Sequence, residues 1–111
     1  MLKWPAVIKY AGEDELVYVC NEQEWLSDPD LCSYPYIAGD AIIDSNGQQY
    51  SLPYSEEKKR VEIFNKSSVV IISDFEILIK NHMVSLNQCC SSKIRLTDFA
   101  DGITLVERTV E

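Results

Sequence analysis

Apolar and polar positions change in short blocks through the first half of the chain and settle into a helical period in the second. Ala6 to Tyr10 and Leu16 to Cys20 are β-favourable runs joined by the polar stretch AGEDE, which predicts a hairpin. In NEQEWLSDPDL, Asn21 is followed three residues later by Glu24, the spacing of a capping box, and Asp28-Pro29 ends the helix after about two turns. LCSYPYIAGD reads as a loop. DAIIDSNGQQYSL then sets Asn46-Gly47 between two strand-like runs, and both residues tolerate the positive φ of a tight turn, so a second hairpin follows.

The character changes at SLPYSEEKKR, where a proline and a charge run mark a subdomain boundary near Ser55. Val61 to Phe64 and Val69 to Ile72 are apolar runs separated by NKSS, and they predict a third hairpin. The principal helix is expected over 74–88. Ser73 and Glu76 have capping-box spacing, Asp74 suits the positive N-terminal end, and Glu76 with Lys80 makes a favourable i,i+4 pair. Residues 97–107 pull two ways: Phe99, Ile103 and Val106 share a helical face after a Thr97 cap, whereas Gly102 and the β-branched ITLVERTV favour strand. Helix is the preferred reading.

These elements predict an α+β protein: two β-hairpins around a short helix, in a β-grasp-like arrangement, then a C-terminal half dominated by one amphipathic helix. Residues 1–54 form a β-rich acidic subdomain and 55–111 a helical one, the two packed as one compact unit.

On a wheel of about 100° per residue, Leu78, Ile79, His82, Met83, Leu86 and Cys89 lie within about 80° of Phe75, with His82 near the centre. Ile77 and Val84 fall on the opposite side. The helix is therefore apolar on two faces, which fits a helix sandwiched within the chain or one that leaves a patch for a partner. Trp25, Tyr34 and Tyr36, like Trp4, have the same two readings, since Trp and Tyr serve both cores and binding hot spots.

The chain has 46% hydrophobic and 25% charged residues, a balance that excludes disorder and predicts a folded domain. Its formal charge is −8, and residues 1–54 hold nine of the carboxylates against only Lys3 and Lys9. Such a surface repels a phosphate backbone, which argues against nucleic acid and for a basic protein partner, if the charge does more than keep the chain soluble. No apolar run is long enough to span a bilayer and no signal-peptide core is present, so a cytoplasmic setting without membrane contact is expected. There the four cysteines would be reduced.

The chemistry-bearing stretch is HMVSLNQCCSSK, with the single histidine, His82, and the adjacent Cys89 and Cys90. These are the metal candidates. In a continuous helix His82 and Cys89 lie two turns apart, roughly 10.5 Å along the axis, too far for one zinc ion with ligands at about 2 Å. A thiol pair at a helix C-terminus also faces a dipole that opposes the thiolate, unlike a redox C-x-x-C at an N-terminus. His82 and Cys89 therefore read first as core residues. The carboxylates Glu13, Asp14 and Glu15 crowd one turn, where solvated polar residues are ordinary. No phosphate-binding or hydrolase motif is present, and no cofactor is expected.

WPAVIKYAGEDEL, GDAIID and HMVSLNQCCSSKI together resemble a family of small uncharacterised bacterial proteins found in marine gamma-proteobacteria among others. The resemblance spans most of the chain. It implies a compact α+β protein in the bacterial cytoplasm and brings no activity, cofactor or catalytic residue. The expected function is a non-catalytic protein-interaction module; the alternative is a small thiol- or metal-dependent enzyme using His82 and Cys89/Cys90.

Overall fold

The computed structural model describes residues 2–32, 36, 39–52, 54–55, 60–61, 66–86 and 96–108. Strands β1 (Ala6–Lys9) and β2 (Leu16–Val19) form the first hairpin, and β3 (Ala41–Asp44) and β4 (Gln48–Ser51) form the second. The hairpins join through β1 and β3, with Val7 opposite Ile43 and Ile8 opposite Ile42. Among the described residues, β7 (Lys66–Val69) completes a five-stranded antiparallel sheet in the order β2-β1-β3-β4-β7, and β5 (Tyr54–Ser55) pairs with β6 (Arg60–Val61) in a separate ribbon. The fold is α+β.

Both faces of this sheet are covered, which explains why β1 and β3 are continuous apolar runs instead of alternating ones. Ala6, Ile8, Val19, Ile42 and Tyr50 point to one face, beneath Trp25 of helix α1 (Glu22–Ser27) and Leu31 of the one-turn helix α2 (Pro29–Cys32). Val7, Leu16 and Ile43 point to the other. There they meet Phe75 and Ile79 of α3 (Ile72–Ser85) and Ile103 and Val106 of α4 (Phe99–Glu107). The result is a three-layer core, with α3 and α4 side by side on one face of the sheet. Each of the buried Val, Leu, Ile and Phe side chains gains about 1.5 to 3 kcal/mol from burial, before the entropy of ordering it is counted.

Both ends of α1 and the start of α4 follow from local chemistry. Asn21 accepts the Glu24 N–H at 2.8 Å, and extended Asp28 before Pro29 closes α1. The segment that could be helix or strand is helix, capped by Asp98 instead of Thr97: the Asp98 carboxylate accepts the Asp101 N–H at 2.8 Å.

Two other boundaries move for tertiary reasons. Arg60–Val61 and Lys66–Val69 do not pair as a third hairpin, since the first joins β5 and the second joins β4. The run Val69 to Ile72 is thereby split between a strand end and a helix start. Consequently α3 begins at Ile72, ahead of Ser73, and its N-cap Ile71 makes no side-chain cap bond. Glu76 is engaged elsewhere: its carboxylate accepts the Leu96 N–H at 3.0 Å and pairs with Lys80 at 3.4 Å. At the other end α3 stops at Ser85, with Leu86 as its C-cap, three residues short of the expected 88.

The second hairpin turn is held by a buried carboxylate. Asp44 Oδ1 accepts the N–H groups of Asn46 and Gln48, both at 2.9 Å, while Oδ2 accepts the Lys3 N–H at 3.0 Å. Gly47 has φ 79°, and a Cβ there would overlap the Phe99 ring, so both backbone and packing demand glycine.

Candidate functional site

His82, the residue with the most chemical potential in the chain, lies on the sheet-facing side of α3 and is 1% exposed. Its Nδ1 accepts the backbone N–H of Leu16 at 2.8 Å. The neutral ring must then carry its proton on Nε2, because a protonated Nδ1 would set two donors against each other. Burial holds the His82 pKa below the ordinary 6.5, and the Glu15 carboxylate opposes that shift without cancelling it.

The unfolded state takes up the proton first, so the stability due to neutral His82 is complete above pH 6.5, declines as pH falls below it, and levels off beneath the folded pKa. Urea melts from pH 5 to 8 should show this decline, and His82→Gln should flatten it. A decline of equal steepness in the variant would assign it to other groups.

Of the candidate metal ligands, the structure shows His82 as a sealed core residue tied to a backbone amide. Cys89 and Cys90 lie outside the described residues. Among the described residues, no group of three or more His, Cys, Asp or Glu side chains could hold a metal ion. Cys20 is exposed and Cys32 half-buried. Glu13, Asp14 and Glu15 are exposed in the β1–β2 turn, which is closed from within by the Glu13 N–H donating to the Tyr10 carbonyl at 3.1 Å and by Lys9 Nζ donating to the Tyr10 and Glu13 carbonyls.

The aromatic candidates separate cleanly. Trp25 is 4% exposed and stacks on Tyr36 at 6.4 Å, and Tyr36 stacks on Tyr10 at 5.8 Å. The Tyr36 hydroxyl donates to the Leu31 carbonyl at 3.0 Å. Trp25 and Tyr36 therefore build the core beneath α1 and α2 and present no docking surface. Tyr34 lies outside the described residues.

Ile77 and Val84 do the reverse. They are 54% and 60% exposed on the outer side of α3, although an apolar helix face is expected to be covered. Among the described residues, α4 lies beside α3 on the sheet and no element covers these two side chains. Ile71 at the head of the helix and Val69 at the end of β7 are exposed too.

A polar contact invisible in the sequence lies along edge strand β2. Burial, reinforced by the neighbouring Glu107 of α4 and Cys20, pushes the Tyr18 pKa above the ordinary value. The i,i+2 spacing of Tyr18 and Cys20 on a strand could have flagged their proximity. Nothing local points to Glu107.

Residues 4–106 match the model of a family described as a protein structure with unknown function. A solved structure described as the NMR structure of the protein from Shewanella amazonensis is 26% identical, covering 100% of this chain and 91% of that one, with a TM-score of 0.72. Comparison with curated proteins returns no match. Among the described residues, no helix is long and apolar enough to cross a membrane.

Proposed function

The chain belongs to the DUF4144 family, and from that premise we propose that it is a non-catalytic interaction module of the bacterial cytoplasm that docks a basic protein partner. The observation that carries this reading is the solvent-facing pair Ile77 and Val84 on a helix whose opposite side, Phe75, Ile79 and His82, is in the core. Exposed apolar side chains at i and i+7 form a ridge two turns long, the form in which a helix presents anchors to a partner. The charge of −8 supports the choice of a basic partner, since complementary fields speed encounter and exclude acidic competitors.

Ile77→Ser with Val84→Ser tests the reading. Both side chains are more than half exposed, so the folding stability of the double variant should stay within about 0.5 kcal/mol of the parent. Affinity capture from a bacterial lysate should yield basic proteins that elute as salt rises, and the double variant should lose them by at least tenfold. Capture that is indifferent to salt and to both substitutions would refute the module. The competing thiol- or metal-dependent enzyme would reveal itself in native mass measurement as bound metal, or in a thiol count as one abnormally reactive cysteine.

A further inference from the structure

Leu16 and His82 are separated by 66 positions, yet one hydrogen bond joins them and ties α3 to the first residue of β2. The bond is formed by a titratable side chain and a backbone donor, so it exists in only one protonation state. Next to Leu16 stands the exposed carboxylate of Glu15. We propose that His82 is a proton-operated latch: neutral, it holds the C-terminal part of α3 against the start of β2, and protonated, it leaves the Leu16 amide for the Glu15 carboxylate.

The two states are balanced by opposing physical terms. In the closed state the imidazole is buried and the Leu16 N–H satisfied. Ionisation puts a proton on Nδ1, which leaves two donors facing each other and a charge away from water, each unfavourable on its own. Swinging outward by the width of the helix edge rehydrates the ring and brings it towards an opposite charge. Among the described residues, Glu15 is the charged group whose field acts on His82, and Glu76 of α3 is engaged with Lys80. Leu86, which caps α3 by donating to the His82 and Met83 carbonyls at 3.3 and 3.2 Å, moves with the ring and loosens the helix end.

The test reads the bond itself. An N–H···N hydrogen bond transmits a scalar coupling between its two nitrogens, here Leu16 N and His82 Nδ1. In the full chain at pH 8 that coupling should be present, and it should vanish in step with titration of the imidazole while the amide signals of Ile8 and Ile42 on the central strands keep their folded positions. Glu15→Gln should move the midpoint to lower pH by removing the charge that receives the imidazolium. His82→Gln, whose amide oxygen can still accept from Leu16 but cannot be protonated, should leave the Leu16 amide shift independent of pH. The latch is overturned if the imidazole stays neutral until the Ile42 signal is lost, if the coupling survives protonation, or if Glu15→Gln leaves the midpoint unmoved.

Discussion

Asp44→Ala should lower folding stability by about 3 to 5 kcal/mol, a large fraction of the total for a domain of this size. The side chain is 0% exposed and accepts three backbone N–H groups, from Lys3, Asn46 and Gln48. Alanine removes the acceptor of all three bonds at once and leaves three part-buried donors without their protein partner. The N-terminal segment would loosen as well, keeping the Ser45 N–H to the Lys3 carbonyl at 3.0 Å and the packing of Leu2 and Trp4 but losing its bond to the turn. Asp44→Asn separates the contributions: its one carbonyl oxygen can keep the Asn46 and Gln48 bonds while its NH2 faces the Lys3 donor, for a loss of about 1 to 2 kcal/mol. Urea melts of both variants check the ranking. Equal and small losses would mean that solvent satisfies the turn.

Gly102→Val should be nearly as damaging, costing about 3 kcal/mol, and even Gly102→Ala should destabilise by about 1 kcal/mol. Helix propensity alone predicts the opposite for alanine, a gain of about 1 kcal/mol. The reason for the reversal is the approach of α3 to α4. A Cβ at position 102 would stand 2.6 Å from Phe75 Cε2, 3.0 Å from Leu96 Cδ1 and 3.2 Å from Ile79 Cγ1. Phe75 is fully buried and packs against Phe99 at 5.1 Å, so its ring has nowhere to retreat. Phe75→Leu should therefore relieve part of the cost of Gly102→Ala, a coupling that a double-mutant cycle measures. A stabilised Gly102→Ala protein would contradict the packing account.

Local chemistry made the paired strands and the capped helices legible. Asn46-Gly47 and the AGEDE stretch mark turns because their residues suit turn backbones, and the flanking apolar runs supply the strands. The wheel put His82 on the buried face of α3 because a 3.6-residue period leaves little choice once Phe75 and Ile79 are core. Its partner was beyond reach, since a bond across 66 positions depends on how α3 lies over the sheet. Asp44 was half legible: an aspartate two residues before Asn-Gly is a turn acceptor by type, but its bond to Lys3 is made across 41 positions.

Other features were decided by packing alone. The run Val69 to Ile72 looks like one strand, and it is divided because β4 offers a free edge that ends with Val69 while the sheet face beyond it calls for a helix. Gly102 argues against helix in isolation and is required in the helix that forms, where only a residue without a Cβ lets α4 approach Phe75. The outward face of α3 is the sharpest case. Sequence determined that Ile77 and Val84 share a side opposite the core, because helical geometry fixes relative directions along one element. Whether that side is covered depended on where the next helix goes. With α3 and α4 sharing a single layer on the sheet, both bury their inner faces against Val7, Leu16 and Ile43, and no further described element lies over Ile77 and Val84.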